Sequence, residues 1–395
     1  MLFQALDDKG KCAGFYADGE LNFEKSPAQL GHTATWEYSV HLNECDIEYA
    51  RLYCGGETLT EVCPEEQRHN WENLTERLLA YFKSFSEAKV DLNEHCFYQL
   101  VPERFLLEFF DAKNEITRHV LESRDKPPNY DFLVNLSSVV AEMSQRELFL
   151  NRNALKSKLA SKRVRDFWKK IQTHNKIQYN IFGTKTGRLT TKKTSFPILT
   201  LDSSMRSVIK PKNDWLVELD FNAAELRTLL GLSGVEQPKE DIHDWNIKNV
   251  FKKKMSREAA KKRVFAWLYN PAAEDADLAR IYDRDKVLQK YYSDGQVSTF
   301  CDRVIPSDDY HALNYIVQST TSDLFLRRMC KIHDFLKGLE SHILFCVHDS
   351  LVLDMAHSER KHLKEIIDIF SDTELGRFQV NVKAGKDFGN MQEVR

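Results

Sequence analysis

The sequence WLVELDFNAAELRTLL, residues 215–230, begins with residues that favour a β-strand and continues with residues that favour a helix. Residues 215–219 form a short apolar run of β-favouring side chains, so they predict a strand, and the carboxylate of Asp220 follows at its end. The residues after Asp220 are strong helix formers, with Asn222 as the predicted cap and Gly234 closing the segment. The stretch therefore predicts a strand, an acid and a helix in that order.

The predicted helix carries a second acid, Glu225, and a cation, Arg227. Metal and phosphate sites are often built from an acid at a strand end and charged side chains on the next helix. The alternative is that these charged residues only cap the helix or lie on the surface.

A second stretch, HILFCVHDSLVLDM at residues 342–355, predicts a hairpin. Its two apolar runs, residues 343–347 and 351–353, are joined by His348, Asp349 and Ser350. A neighbouring strand ending in Asp220 would bring two carboxylates together, and such a pair is stabilised by a divalent metal ion. The alternative is an ordinary hairpin in which Asp349 only forms the turn.

The composition indicates a globular protein without export or membrane signals. The 395 residues, 42% of them apolar, are enough for two or three domains. No apolar window approaches the length of a membrane span, and the N-terminus lacks the pattern of a signal peptide, so a cytoplasmic location is expected. The eight cysteines are scattered without zinc-ligand spacing, which favours reduced thiols.

The net charge of −3 conceals a strong asymmetry. Residues 1–130 carry 24 Asp and Glu against 13 Lys and Arg, whereas residues 152–193 carry 13 Lys and Arg against the single acid Asp166. This basic segment includes Phe167 and Trp168, and the combination favours binding of a polyanion along one face. The cations that we single out are Lys162, Arg163 and Arg165. The alternative is a solvated basic helix.

The polar loop TKTGRLTTKK, residues 184–193, lies in the same basic zone. Its Gly187 permits close approach to a nucleic-acid backbone or groove, and Thr186 and Arg188 flank that glycine. Arg206 is a further candidate contact. An ordinary surface loop is the alternative for this segment.

The sequence SREAAKKRVFAWLYNP, residues 256–271, predicts a helix capped by Ser256. Arg257, Lys261, Phe265 and Tyr269 recur at four-residue steps and therefore share one side. The two cations lie in the first turns, and the rings begin about 12 Å along the axis at about 1.5 Å per residue. This order suits a nucleotide with its phosphates at the N-terminal end. The alternative is an amphipathic helix with both rings in the core.

The first 120 residues predict a mixed domain. A hairpin is expected between residues 3–6 and 12–16, a short strand at residues 50–53, and a helix at residues 71–85. Asp18 precedes a glycine and is expected to form a turn rather than a nuclease site. The proline-containing residues 126–129 predict a boundary before helices near residues 130–150 and 153–172.

Taken together, these segments resemble the family A DNA polymerases, the bacterial polymerase I group. The matching motifs occur in family order over roughly residues 175–395: TGRL at residues 186–189, DFNAAELR at 220–227, DIH at 241–243, RVFAWLYNP at 263–271, NYIVQSTTSD at 314–323 and VHDS at 347–350.

The resemblance implies roles for individual residues. Asp220, Asp349 and the backbone carbonyl of Phe221 would hold two Mg²⁺ ions, for which Mn²⁺ can substitute, to support phosphoryl transfer. Lys261 would also donate a proton to pyrophosphate. The implied nucleotide contacts are made by Arg257, Lys261, His243, Phe265 and Tyr269, with Glu225 excluding a ribose 2′-hydroxyl. The implied DNA contacts are made by Arg188, Asn314 and Gln318 in the minor groove and by His348 at the primer terminus.

The chain departs from the usual family residue at four positions within the matching motifs. Ser350 stands where the family usually has Glu, Asn270 where it has Gly, Ala223 where it has Gln, and Ser319 where it has Gly. The segment between Tyr269 and Asn314 is also shorter than usual. None of these departures removes an implied metal ligand.

We therefore expect an α/β right-hand polymerase, with an antiparallel palm sheet and helical fingers and thumb, preceded by a small α+β domain. The expected parts are the N-terminal domain at residues 1–125, a reduced basic thumb at 126–183, the palm at 184–240 and 311–395, and the fingers at 241–310.

The expected function is template-directed DNA synthesis from dNTPs on primer–template DNA, in the replication of a phage or mobile element and hence in a host cytoplasm. The N-terminal part is too short to resemble a complete proofreading exonuclease, so proofreading is expected to be absent. Either a separate protein supplies it, or the N-terminal part is a remnant of an exonuclease domain used for docking. A separate processivity factor or helicase–primase is a further expected partner. The alternatives are a single-subunit RNA polymerase and a non-catalytic DNA-binding subunit.

Overall fold

The fold is taken from a computed structural model, which describes residues 2–7, 14–23, 31, 33–42, 46–92, 94–252, 255–270 and 272–394. The chain forms two compact units, Met1–Glu142 and Met143–Arg395. Residues 8–11 of the first predicted turn, Cys12, Cys45 and Pro271 lie outside the described residues. The finer division into palm, fingers and thumb stays a prediction.

The first unit combines short strands with long helices. Its strands are β1 (Gln4–Leu6), β2 (Gly14–Ala17), β3 (Glu20–Asn22), β4 (Ala34–Thr35) and β5 (Glu48–Tyr49). Its helices are α1 (Ala50–Tyr53), α2 (Glu65–Glu87), α3 (Phe97–Leu100), α4 (Glu103–Ser123) and α5 (Tyr130–Gln145), the last of which continues past Glu142, and Val40–Leu42 form a 3₁₀ turn.

Two N-terminal predictions have different outcomes. The hairpin is confirmed, because β1 pairs antiparallel with β2 and Gln4 lies opposite Tyr16. The strand predicted at residues 50–53 is wrong, since these residues form α1. An apolar run of four residues is too short to distinguish the two periodicities, and here Ala50 and Leu52 are both buried against other helices.

Aromatic rings fill the core between α2 and α4. Trp71 stacks on Phe109 with ring centroids 5.2 Å apart, and Tyr16 of β2 stacks on Phe110 at 5.8 Å. The buried side chain of Gln4 donates hydrogen bonds to Asn114 and Thr117 of α4. The predicted helix at residues 71–85 is confirmed within the longer α2.

The second unit contains the remaining elements. Its strands are β6 (Phe149–Leu150), β7 (Tyr179–Asn180), β8 (Thr190–Thr191), β9 (Ile209–Lys210), β10 (Trp215–Phe221), β11 (Tyr292–Ser293), β12 (Gln296–Ser298), β13 (Val304–Pro306), β14 (His342–Val347), β15 (Ser350–Met355), β16 (Asp372–Thr373), β17 (Gly376–Arg377), β18 (Val380–Gly385) and β19 (Gln392–Glu393). Its helices are α6 (Lys162–Thr173), α7 (Ala224–Leu232), α8 (Ile242–Asn246), α9 (Arg257–Tyr269), α10 (Ala276–Ala279), α11 (Arg284–Tyr291), α12 (Asp309–Leu336) and α13 (Leu363–Ser371). Shorter 3₁₀ turns cover Arg152–Lys158, Ile198–Thr200, Ser203–Val208 and His357–His362, and Ile247–Phe251 form a π-helix.

A five-stranded antiparallel sheet organises this unit, with the strand order β14-β15-β10-β18-β19. The predicted hairpin is confirmed as β14 and β15. The prediction that the first strand ends before Asp220 is wrong, because β10 continues to Phe221, which pairs with Val380 of β18. A pairing partner on both sides extends the strand beyond its apolar run.

The residue predicted to cap α7 has another role. Ala223, with φ +50°, occupies the cap position of α7, and the side chain of Asn222 makes no cap hydrogen bond to that helix. Instead, Asn222 Nδ2 donates to Asp241 and its Oδ1 accepts from the backbone of Ile242. Asn222 therefore joins the end of β10 to the start of α8.

Arg227 is a structural residue within this junction. Its side chain is fully buried, and it donates to the carbonyls of Asn222, Pro238 and Glu240 and to the side chains of Asn222 and Gln379. A guanidinium presents several donors in a fixed plane, which suits this convergence of oxygens. Arg227 is therefore not available for a ligand.

No described helix is long and apolar enough to cross a membrane.

We predict that Arg227→Met lowers the free energy of unfolding by about 3 kcal/mol, because it leaves several buried acceptors without donors. Urea unfolding followed by far-UV circular dichroism measures the change. Arg280→Met is the matched control, since Arg280 is exposed. Equal midpoints for the two variants would contradict the structural role of Arg227.

Candidate active site

The sheet brings the two predicted aspartates to the same end of its central strands. Asp220 of β10 lies opposite Ser350 of β15. Asp349 directly precedes Ser350 in the two-residue turn that joins Val347 to Ser350, and His348 in this turn has φ +53°. The antiparallel register therefore places Asp349 next to the pairing partner of Asp220.

The environment of Asp220 opposes its ionisation. Burial raises the pKa of Asp220 to about 6, and the negative charges of Glu218 and Asp349 add to this rise. The hydrogen bond from Asn381 Nδ2, 3.4 Å from Asp220 Oδ2, and the charge of Lys383 oppose it. Protein cations thus compensate the carboxylate only in part.

Asp349 is in a similar environment. Burial raises the pKa of the Asp349 carboxyl, Glu225 adds to the rise, and the Arg188 guanidinium opposes it. Two adjacent aspartates of raised pKa are a donor set that fits a hard divalent cation, which prefers oxygen ligands. The described residues contain no group of three or more His, Cys, Asp or Glu side chains arranged to hold a metal ion, so this fit depends on the two aspartates.

Arg188 connects three elements around Asp349. Its Nη2 lies 2.5 Å from Glu225 Oε1 on α7 and 3.9 Å from Asp349 Oδ2 on the hairpin turn. The other oxygen of Glu225 accepts a hydrogen bond from the hydroxyl of Tyr269 at the end of α9. A continuous chain of polar contacts therefore runs from α9 to Asp349.

The loop that carries Arg188 is supported by a buried ion pair. Gly187 has φ +77°, and a Cβ there would lie 2.6 Å from Arg303 Nη2. Arg303 Nη2 and Nε donate to Asp323 of α12 at 2.7 and 3.1 Å, and the Asp323 side chain is fully buried. A glycine is required at 187 both for the backbone conformation and for the close approach of this guanidinium.

Three of the four residues predicted on one side of α9, Arg257, Lys261 and Tyr269, are exposed, whereas Phe265 is half-buried against the core. Ser256 Oγ accepts from the backbone of Ala259, which confirms the predicted cap, and the buried side of the helix consists of Ala260, Val264, Trp267 and Leu268. Phe265 and Tyr269 stack with centroids 5.8 Å apart, and 46% of Tyr269 is exposed. The alternative with both rings in the core is therefore wrong for Tyr269.

The cations at the start of α9 differ in their surroundings. Arg257 Nη2 lies 2.8 Å from Asp241 Oδ2. Burial alone would raise the pKa of Asp241, but hydrogen bonds from Arg257 and Asn222 hold it well below its usual range. Lys261 is exposed and has no ion-pair partner among the described residues. Lys261 thus remains available to an anion.

His243 lies behind this face. Its ring is buried, 6.0 Å from that of Phe265, and its Nδ1 has no hydrogen-bond partner in the described part of the chain. Burial lowers the pKa of His243, which favours the neutral imidazole.

The predicted DNA contacts are not gathered in one cluster. Thr186 is buried, Arg206 lies over the ring of Phe388 at 4.8 Å, and His348 is exposed. Asn314 and Gln318 are half-buried on α12, and Asn314 Oδ1 has no partner among the described residues. DNA binding by these residues stays a prediction.

The basic cations of α6 are exposed, and two of them are already engaged. Arg163 Nη1 lies 2.9 Å from Asp202 Oδ2, and Arg165 donates to the carbonyls of Leu159 and Ala160. Lys162 is exposed as well. Within the described part of the chain, no hydrogen bond or ion pair connects these cations to Asp220 or Asp349.

Sequence analysis missed several residues of the site. Glu218 could have been found from its spacing, because it lies two residues before Asp220 and therefore on the same side of the strand. Asn381 and Lys383 had no signal, since only the β10–β18 register brings them to the site. The same holds for the ion pair between Arg303 and Asp323.

Comparisons with known proteins agree with this architecture. Residues 297–391 match the sequence model described as DNA polymerase family A. A thermostable DNA polymerase I from Thermus filiformis is 26% identical, over 48% of this chain and 29% of its own length. A DNA polymerase from Mycobacterium phage L5 is 23% identical, over 46% of this chain and 36% of its own length. The chain thus matches about a third of the length of these relatives.

The solved structures extend the match to nearly the whole chain. The POL domain of Pol1 from M. smegmatis, in complex with DNA primer–template and dNTP, aligns with a TM-score of 0.69 at 14% identity, covering 98% of this chain and 95% of that chain. This likeness confirms the expected fold class. The chain is therefore similar in sequence to family A DNA polymerases over part of its length, and it has the right-hand fold of a polymerase domain.

Proposed function

We propose that the protein is a template-directed DNA polymerase that adds dNTPs to a primer 3′-hydroxyl. The observation that carries the proposal is the chain of contacts from the accessible side of α9 through Tyr269, Glu225 and Arg188 to Asp349. It links a surface suited to a nucleotide with a pair of carboxylates suited to metal ions. The similarity to polymerases supports this function.

Asp220, Asp349 and the carbonyl of Phe221 would hold two Mg²⁺ ions, and Mn²⁺ can substitute. When bound, these ions supply activation of the 3′-hydroxyl and charge stabilisation of pyrophosphate. The raised pKa values of both aspartates are consistent with carboxylates whose missing counter-charge is a cation. The aspartates also orient the reacting groups at this end of the sheet.

The residues of α9 bind the triphosphate in this proposal. Lys261, which has no ion-pair partner among the described residues, contacts the phosphates and donates a proton to the leaving pyrophosphate. Arg257 shares its charge between Asp241 and the phosphates, and neutral His243 offers a hydrogen bond. Phe265 and Tyr269 present stacked rings to the sugar and the nascent base pair.

The DNA contacts complete the proposal. Arg188, Asn314 and Gln318 read the minor groove near the primer terminus, and His348 contacts the terminal phosphate. Backbone phosphates are contacted by Arg206, Lys162, Arg163 and Arg165, and Thr186 belongs to the loop that approaches the DNA. The role is replication of a phage or mobile element in a host cytoplasm, with proofreading, processivity or helicase–primase functions on separate proteins.

The first test is extension of a primed DNA template with Mg²⁺. The wild type is expected to use dNTPs, and Asp349→Asn is expected to lose at least about 10³-fold in rate, because removal of a charged ligand removes metal-dependent stabilisation of the transition state. Asp285→Asn, at an exposed position of α11, is the matched control.

The same assay separates the alternatives. Extension with rNTPs but not dNTPs would identify an RNA polymerase. Duplex binding without extension, unchanged by Asp349→Asn, would identify a non-catalytic DNA-binding subunit.

Glu225 is expected to determine the choice of sugar. Its carboxylate is 11% exposed and is held from two sides by Arg188 and Tyr269, so it forms a fixed obstacle to a 2′-hydroxyl. Glu225→Ala should reduce the preference for dNTPs over rNTPs by about 10–200-fold, the range expected when a contact of about 1–3 kcal/mol is removed.

The comparison of kcat/KM for dCTP and CTP measures this preference. Tyr269→Phe is the control, because it removes one support but keeps the carboxylate. An unchanged preference in Glu225→Ala would show that another residue excludes the 2′-hydroxyl.

A further inference from the structure

Glu218 belongs to the same side of the central strand as Asp220. The two residues are separated by one position of β10, and side chains alternate between the faces of a strand. The side chain of Glu218 is only 14% exposed. Its negative charge acts on Asp220, and the register places it between Val352 of β15 and Lys383 of β18. A third carboxylate therefore faces the region of Asp220.

The contacts of Glu218 point toward the hairpin turn. Ser350 Oγ lies within hydrogen-bond distance of two acceptors, Glu218 Oε1 at 3.4 Å and the Val347 carbonyl at 3.1 Å, and Lys383 Nζ lies 3.7 Å from Glu218 Oε2. Ser350 is both the pairing partner of Asp220 and the neighbour of Asp349 in sequence. The Glu218 carboxylate is thus in contact with the one residue that joins the two aspartates.

Position 350 is also where this chain departs from the family pattern, with a serine in place of the usual glutamate. A glutamate at 350 would place its carboxylate against that of Glu218, and like charges at neighbouring cross-strand positions are unfavourable. The small, uncharged hydroxyl of Ser350 avoids this repulsion and lies within hydrogen-bond distance of the Glu218 carboxylate. The two positions therefore accommodate one carboxylate between them, and in this chain it comes from β10.

We propose that Glu218 is a positioning residue of the polymerase site that supplies the third carboxylate, which position 350 does not provide. This inference rests on the proposed function, because Glu218 would act on the metal ion that Asp220 and Asp349 are proposed to hold. Glu218 stabilises that cation through its charge and by accepting hydrogen bonds from the waters that surround it. Groups in this outer position change metal affinity by about 10–100-fold.

The neighbouring Lys383 allows a test of the charge effect. If Glu218 acts through its charge, Lys383→Met removes a repelling cation and leaves Mn²⁺ affinity equal or tighter. If Glu218 serves only as the ion-pair partner of Lys383, then Lys383→Met and Glu218→Gln weaken Mn²⁺ binding alike. Only under the proposal, therefore, does Glu218→Gln weaken Mn²⁺ binding while Lys383→Met does not.

The experiment is a Mn²⁺ titration followed by electron paramagnetic resonance of free Mn²⁺. The full chain is bound to a dideoxy-terminated primer–template and the matching dNTP, so that binding is measured without turnover. Glu218→Gln is expected to weaken Mn²⁺ affinity about 10-fold. Ser350→Glu alone is expected to give no gain, whereas Glu218→Gln combined with Ser350→Glu should return the affinity to within about 3-fold of wild type, because the carboxylate is then supplied from β15.

Two results would overturn the inference: unchanged Mn²⁺ affinity in Glu218→Gln, or a double variant that binds no better than Glu218→Gln. The double variant also controls for folding. If Glu218→Gln weakened Mn²⁺ binding by unfolding the protein, adding Ser350→Glu would not be expected to restore the affinity. Asp349→Asn separates this failure from that of the proposed function. If Asp349→Asn leaves Mn²⁺ binding unchanged, the aspartate pair is not the metal site; if only Glu218→Gln is without effect, the polymerase proposal stands without a role for Glu218.

Discussion

The antiparallel pairing of β10 with β15 and β18 is the constraint on which the proposed site depends. This register sets Asp220 opposite Ser350 on one side and Asn381 on the other. A slip of one residue would turn Asp220 to the opposite face of the sheet and separate it from the hairpin turn. The register is maintained by the buried apolar side of the same strands, since Leu219 and Leu351 pair with each other and are fully buried. Burial of these leucines thus fixes the position of the carboxylates.

Polar contacts at two places connect helix α9 to the sheet. Asn222, at the end of β10, binds Asp241, and Asp241 in turn binds Arg257 at the start of α9. At the other end of α9, Tyr269 reaches Glu225, which Arg188 connects to Asp349. Both ends of α9 are therefore linked by polar contacts to the segment that carries Asp220. In the proposed enzyme, a nucleotide on α9 and metal ions on the aspartates would be aligned through these links.

The sequence predicted the parts of the site better than their assembly. The two aspartates, the hairpin and the side of α9 were predicted because each depends on local periodicity and turn chemistry. The extension of β10 past Asp220 and the left-handed Ala223 were not, because both result from pairing with β18 and from the tertiary role of Asn222. Glu218 is a further example. The sequence shows that Glu218 lies two residues before Asp220, but its proximity to Ser350 depends on the pairing of β10 with β15. Arg303 and Asp323 are twenty residues apart in sequence, and only the fold shows that their ion pair supports Gly187.

The most direct test of the central claim is an experimental structure of the full chain with a dideoxy-terminated primer–template, the matching dNTP and Mg²⁺. The account predicts metal ions bound by the carboxylates of Asp220 and Asp349, with the triphosphate along the side of α9 that carries Arg257 and Lys261. A ternary complex in which the nucleotide binds elsewhere, or in which neither aspartate contacts a metal ion, would contradict it.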